Sequence, residues 1–239
     1  MYALGDLHGN IHHMKLDIDR KKISNTSIFQ VGDFGIGSNN PKKEMNRIFR
    51  INDYLKERNI VMYVIRGNHD DPYYFKGEHL FSNLQFLPDY SVIELDNHKV
   101  LCVGGAISPD RKYRKIESGQ LVKYGSCPNW WEEERFILKE ELLKSLKNID
   151  IDIVITHSAP SYCKPNEFSE NLKHYFKKDP SLKKELITER EELTKLFQLL
   201  NKNNDIKYHF YGHFHRYEVT DNLYTQHICL PKNEFYEIK

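Results

Sequence analysis

The sequence holds little cysteine, and its four residues (Cys102, Cys127, Cys163, Cys229) lie far apart with no Cys-x-x-Cys pair. That spacing excludes a zinc knuckle and a disulfide-stapled secreted scaffold, so a reducing, cytoplasmic setting is expected. No apolar run is long enough to cross a bilayer. The opening Met1-Tyr2-Ala3-Leu4 leaves no room for the charged head and apolar stretch of a signal peptide, and no membrane association is expected. An excess of either charge is missing too: 35 basic residues face 34 acidic ones, a formal net charge of +1. Nucleic acid is therefore possible as a partner but not favoured, since tight binding to a phosphate backbone draws on surplus positive charge. There is no internal repeat, low-complexity tract or Pro/Gly/Ser-rich linker, and 1–239 reads as a single domain. With 39% hydrophobic residues, a chain of 239 can bury a sizeable core.

What is present is an alternation of short β-branched or aromatic runs with longer amphipathic segments. Ile28 to Val31, Val61 to Ile65 and Ile151 to Thr156 read as buried strands. Tyr90 to Leu95 and Lys99 to Val103 read as a hairpin about Asp96-Asn97-His98. Arg216 to Thr220, Leu223 to Cys229 and Glu234 to Ile238 read as a meander. Helices are expected over Pro41 to Arg58, with proline in the first turn, and over Leu182 to Leu200. A third is expected from a capping box at Asn129-Trp130-Trp131-Glu132 through Leu146. Parallel units followed by antiparallel strands suggest an α/β protein with a mixed sheet, or two packed sheets, and helices outside.

Five clusters of hard oxygen donors and imidazoles sit where strand-like runs end. They are Gly5-Asp6-Leu7-His8-Gly9-Asn10, Gly32-Asp33, Gly67-Asn68-His69-Asp70, Thr156-His157 and Gly212-His213-Phe214-His215. Two divalent ions about 3.5–4 Å apart can clamp a phosphoryl group and activate a water. Such a pair needs a bridging carboxylate, terminal ligands and a separate proton donor, and the inventory matches. The ordered string resembles the calcineurin-like metallophosphoesterase superfamily from Asp6 to His215. The resemblance implies a four-layer sandwich of two packed mixed β-sheets flanked by α-helices. It also implies that Asp6, His8 and His215 hold one metal and Asn68, His157 and His213 the other. Asp33 would bridge the two, and His69 would serve as proton donor or transition-state stabiliser. Mn, Fe or Zn suits the mixed ligands, with Mn favoured. The implied reaction is hydrolysis of a phosphate ester by attack of a metal-bridging hydroxide.

The second cluster departs from the Gly-Asp-x-Val-Asp-Arg-Gly of protein Ser/Thr phosphatases: Gly32-Asp33-Phe34-Gly35-Ile36-Gly37 lacks the second Asp and the Arg. That favours small phosphomonoesters or nucleotides as substrates. A phosphodiesterase or nuclease is the alternative, and a non-catalytic protein-binding scaffold a third reading. Arg111 and Arg114 are candidate phosphate ligands, because guanidinium groups take phosphate oxygens in pairs. They compete with an ordinary surface-charge reading. Trp130 and Trp131 read as core anchors ahead of an aromatic platform. Asp70 either caps the turn before Pro72 or orients a ligand. The polar, loop-like stretch from Ser158 to Ser181 is where substrate contacts are expected. His12, His13, His79, His98, His209 and His227 read as packed or solvated.

Overall fold

A computed structural model describes residues 1–79, 81–95, 97–165, 168–222 and 224–238. The chain opens with β1 (Tyr2–Leu4), α1 (Ile11–Arg20), β2 (Thr26–Gln30), α2 (Pro41–Glu57), β3 (Ile60–Val64) and β4 (Leu84–Phe86). β5 (Ser91–Leu95), β6 (His98–Val103), α3 (Arg111–Lys123), α4 (Glu140–Ser145), β7 (Ile153–Thr156), α5 (Glu170–Lys178) and α6 (Leu182–Leu200) follow. β8 (Tyr208–Tyr211), β9 (Glu218–Asp221), β10 (Gln226–Cys229) and β11 (Phe235–Glu237) complete it. One sheet runs β11-β1-β2-β3-β4 and the other β5-β6-β7-β8-β10-β9.

Side-chain alternation along the strands builds the layers, because residues two apart share a face. Leu4, Ile28, Met62 and Val64 face α1 and α2, where they meet Met14, Ile18, Ile48, Ile51 and Leu55. Their neighbours Ala3, Phe29 and Tyr63 face the second sheet, against Val100, Cys102, Ile153, Ile155 and Phe210. On that sheet's far side Leu101, Val103 and Val154 meet Leu193, Leu196, Phe197 and Leu200 of α6. The result is the four-layer sandwich, helices on sheet on sheet on helices. Central strands buried on both faces read as continuous apolar runs, which is why they were visible in the sequence.

α2 starts as expected: Asn40 caps it by accepting from the Lys42 N–H, and Pro41 fills the first position. α6 matches its expected bounds. The β5–β6 hairpin pairs antiparallel; Asp96 in its expected turn lies outside the described residues.

Four expectations fail. Asn129 opens no long helix; Trp131 is extended, and only a 3-10 turn over Glu132–Glu134 precedes α4. The Asn129 side chain donates to Glu117 instead of capping, and Glu134 turns inward to Ser108. Trp130 and Trp131 are half-buried, not core anchors. The final strands form no meander either: β9 and β10 pair antiparallel, but β10 lies parallel to β8, and β11 crosses to pair with β1. Pro231 follows β10, and the crossing is held by Gly5 N–H to Glu234 O and Asn233 N–H to Asp6 O. Leu223, the expected start of the middle strand, lies outside the described residues. Lastly, the Ser158–Ser181 stretch contains α5, capped by Ser169.

Glu189 of α6 sits 4% exposed and accepts long bonds from Ile107 N–H and Phe136 N–H. Burial pushes its carboxyl up to about 7. A raised folded-state value means that its contribution is fully present below the unfolded-state value of about 4.5 and is lost as pH rises through 7. Thermal stability is therefore expected to fall between pH 5 and 8. Glu189→Gln, melted at both pH values, should show a smaller difference than the wild type, by roughly 1–3 kcal/mol. An unchanged difference would mean that the carboxyl ionises freely in the fold.

Candidate metal centre

All five donor clusters are delivered by the C-terminal ends of parallel strands, β1, β2 and β3 in one sheet and β7 and β8 in the other. The loops after β1 and β2 interlock: Leu7 and His8 donate their N–H groups to Asp33 O, and Gly9 to Phe34 O. His8, Asp33, His213 and His215 all adopt positive φ, at 45, 56, 66 and 55°. Left-handed backbone is uncommon for such residues and concentrates at functional sites.

The side chains form two groups that share one carboxylate. In the first, His215 Nε2 lies 3.1 Å from Asp6 Oδ2, and His8 Nε2 lies 3.5 Å from Asp33 Oδ2 and 3.0 Å from His215 Nε2. The donor atoms of Asp6, His8, Asp33 and His215 all lie within 4.8 Å of one another. In the second, His157 Nε2 is 3.3 Å from Asp33 Oδ1 and 3.0 Å from Asn68 Oδ1, which is 2.9 Å from His213 Nδ1. Asp33 thus turns one oxygen to each group. His157 Nδ1 donates to Val31 O at 2.8 Å, leaving Nε2 to face the donors.

The electrostatics suit cations. Asp6 and Asp33 are 0% and 1% exposed, and two buried carboxylates this close need positive charge between them. Burial works against the charge on Asp33, but His157, His69 and His8 hold its carboxyl well below the usual carboxylate range. Burial opposes the charge on His157 as well; Asp33 overrides it and lifts the imidazole to about 9. Burial pushes His8 and His69 down to about 4, so both are neutral at pH 7. The donor set therefore fits two divalent ions, one in each group. His69 stands apart. Its backbone N–H donates to Asp33 Oδ1 at 2.7 Å, while its ring packs edge-on against His8 and lines the adjoining cavity.

The structure does not bring Arg111 or Arg114 to the cavity, which corrects the expectation that they grip phosphate. Arg111 is consumed by Asp179, Glu185 and Ser181 on the outer surface. Arg114 is buried behind Asn68, donating to Asn68 O, Ser108 Oγ and Asn129 O. Ser108 Oγ in turn accepts from Asn68 Nδ2 at 2.9 Å and donates to Glu134. Arg114 thus positions Asn68 from behind. Arg66 is spent likewise, on Asp89 and the carbonyls of residues 133–135. Two arginines do line the cavity. Arg190 is spent on the carbonyls of Ala159, Pro160, Cys163 and Pro165, whereas Arg216 is half-exposed beside His215, whose adjacency to the last cluster is the one signal in the sequence.

Asp70 resolves in favour of orientation. Its carboxylate accepts four backbone N–H groups, from Phe34, Gly35, Ile36 and Gly67. The cap before Pro72 is Asp71, which accepts from Tyr73 N–H. The other unforeseen requirement is close approach of backbone: a Cβ on Gly67 would sit 2.1 Å from Asp33 N and 2.2 Å from Asp33 Oδ1. Gly67→Ala is expected to displace Asp33, lose bound metal and destabilise the fold by about 1–3 kcal/mol. Gly119→Ala, in α3 with open space around it, should instead stabilise by about 0.5–1 kcal/mol. Metal content and melting temperature of the pair check both signs.

The cavity beside the two donor groups measures about 430 Å³. Asp33, Asn68, His69, His213 and His215 form its floor, and Pro165, Phe168, Leu172 and Tyr175 from the 158–181 stretch form an apolar wall. The wall places that stretch at the site, as expected, with Ser158 and Ser169 as its polar contributors beside the aromatic and aliphatic residues. Trp130 lies elsewhere, over Lys115 and in a separate groove with Arg111.

A family model described as calcineurin-like phosphoesterase matches residues 1–217. No curated protein matches the sequence. Among solved structures, a candidate 5′-nucleotidase from Staphylococcus aureus aligns over 97% of this chain and 48% of its own, with a TM-score of 0.50 and 14% identity. A dimetal phosphatase from Danio rerio aligns over 94% of this chain and 78% of its own, with a TM-score of 0.48 and 14% identity. An anchor of the inner membrane complex of Plasmodium aligns over 97% and 71%, with a TM-score of 0.45 and 14% identity. The chain thus spans about half the length of the nucleotidase it matches, and at such identity the likeness to that structure is one of fold.

Proposed function

The chain belongs to the calcineurin-like phosphoesterase family and is a hydrolase of phosphate esters, and from that premise we propose a dinuclear metallophosphatase acting on small phosphomonoesters. The observation that carries the proposal is Asp33, whose two carboxylate oxygens each face a separate group of donors at the floor of one cavity. Asp6, His8 and His215 would hold one ion, Asn68, His157 and His213 the other, with Asp33 shared. Two divalent ions bound there would polarise the phosphoryl oxygens and lower the pKa of a water. Mn²⁺ is the first ion to test, with Fe and Zn as the alternatives the ligands also suit. The family match over residues 1–217 and the continuous packing of both sheets support reading 1–239 as one domain. Four free cysteines, three of them buried, support a reducing cytoplasmic setting. No helix among the described residues is long and apolar enough to cross a membrane.

The chain's own groups have separable tasks. His69 faces the cavity with its backbone tied to Asp33, so its ring N–H can meet the oxygen that leaves. Arg216 can take a non-bridging phosphate oxygen at the rim. The apolar wall of Phe168, Leu172 and Tyr175 suits an ester whose alcohol is aromatic or aliphatic. A cavity of about 430 Å³ holds a small molecule, which supports a small organic phosphate over a phosphoprotein or a long nucleic acid.

Paired hydrolysis of p-nitrophenyl phosphate and bis-p-nitrophenyl phosphate, with and without Mn²⁺ and with metal content measured on the same samples, tests this. Metal-dependent cleavage, faster on the monoester, is expected. Preference for the diester would move the assignment to a phosphodiesterase. His69→Asn is expected to keep both metals and to lose about 10²–10⁴ in kcat. Full turnover in that variant would remove His69 from the chemistry. Two bound metals with no cleavage of either ester would point to a narrower substrate, and no metals with no cleavage to the scaffold reading.

A further inference from the structure

A second cluster of metal-binding side chains lies in the core, away from the cavity. β8 and β10 run parallel with His209 opposite His227, so both imidazoles leave the sheet on one face. Phe197 of α6 packs on both rings, at 4.7 and 5.1 Å. The loop after β7 brings Cys163 to the same place. All three residues are 0% exposed. Cys163 Sγ and one nitrogen from each histidine lie within 4.8 Å of one another.

The hydrogen bonds around them do not close. Thr156 Oγ1 donates to Ser158 O, so it must receive the Nε2–H of His209, 2.7 Å away. His209 Nδ1 is then a bare lone pair, and His227 Nδ1, at 2.9 Å, must donate to it. That leaves His227 Nε2 as an acceptor, buried and without a partner among the described residues. An orphaned polar atom in a core costs about 1–3 kcal/mol. Phenylalanine or leucine at these two strand positions would avoid that penalty, so packing alone does not account for the histidines.

We propose that Cys163, His209 and His227 bind a thiophilic cation, Zn²⁺ or Cu⁺, at a site separate from the phosphoesterase centre. A Cys-His-His set is soft enough to prefer these ions over Mn²⁺. Zn–S bonds of about 2.3 Å and Zn–N bonds of about 2.0–2.1 Å fit a triangle of this size. Both imidazoles are neutral, as ligands must be: burial pushes His209 well below the usual histidine range and His227 to about 4. The thiol, pushed up to about 12 by burial, is protonated until a cation arrives. Binding forms the S–metal bond and releases that proton to solvent, with no change of oxidation state. Arg190 holds the cysteine in place by donating to the carbonyls of Ala159, Pro160, Cys163 and Pro165. The same loop ends in Pro165 of the cavity wall, so a cation here would staple that wall to β8 and β10.

Cobalt is a test that the other centre cannot mimic, because its Asp, Asn and His donors contain no sulfur. Protein made in cobalt-supplemented medium loads a buried site as it folds. A thiolate-to-cobalt charge-transfer band in the near ultraviolet is expected in the wild type. It should persist in Cys229→Ser and in Asp33→Asn, and disappear in Cys163→Ser with one equivalent of cobalt. If the serine variant does not fold, His227→Asn substitutes for it, and loss of the band there carries the same meaning. A cobalt-loaded wild type without the band, or a band that survives Cys163→Ser, overturns the proposal.

Discussion

Asp33→Asn is expected to empty both metal positions together and to lower kcat/KM by more than about 10³-fold, beyond what loss of a single charge-stabilising group removes. The Asp33 oxygens face His8 at 3.5 Å on one side and His157 at 3.3 Å on the other. An amide retains the shape but offers one neutral oxygen and turns an N–H₂ toward the other group. The change also withdraws the charge that lifts His157, so its imidazole should become neutral at pH 7. Metal analysis with single-turnover rates checks the prediction. Loss of one ion only would show that Asp33 serves a single group, and full occupancy would show that it bridges nothing. The fold should survive, since His69 N–H can still donate to the remaining oxygen.

Asp70→Asn is the second large effect, and it acts without touching substrate. Four backbone N–H groups converge on this carboxylate, three from the 34–36 turn and one from Gly67. Asparagine satisfies only those that reach its oxygen, and its own N–H₂ meets the others donor to donor. Hydrogen bonds to a charged group contribute about 1.5–3 kcal/mol each, and stranded buried donors add their desolvation penalty. A loss of about 3–5 kcal/mol is expected, together with weakened metal binding, because the same turns carry Asp33 and Asn68. Thermal melts in saturating metal separate the two effects: binding partly rescues a fold that still forms both groups. A melting temperature within a degree or so of wild type would mean that the turns hold their shape without Asp70.

Much of the site was legible because its signals are local. Each ligand cluster ends a strand whose apolar run is visible by inspection, and donor identity depends on residue type alone. The helix over Leu182–Leu200 could be read for the same reason: its buried residues recur at helical spacing. Arg111 and Arg114 were misread because whether a guanidinium meets phosphate or protein depends on what packs beside it. Asp179 and Glu185, which take Arg111, lie on a distant segment. Asn129 and Glu134, which stand beside Arg114, lie 15 and 20 residues further along the chain, and Ser108 meets Arg114 only because α3 turns back onto Asn68. The final strands misled because antiparallel order is the default for short neighbouring strands, and nothing local announces that β11 returns to β1.

The sequence by itself determined the donor inventory, the strands that present it and the family to which it belongs, since these follow from residue type, alternation and order. Only the tertiary structure decided that Asp33 divides its oxygens between two groups, that Asp70 fastens the turns and that aromatic residues wall the cavity. Those outcomes depend on two sheets packing face to face, which sets distances between residues that no sequence separation encodes.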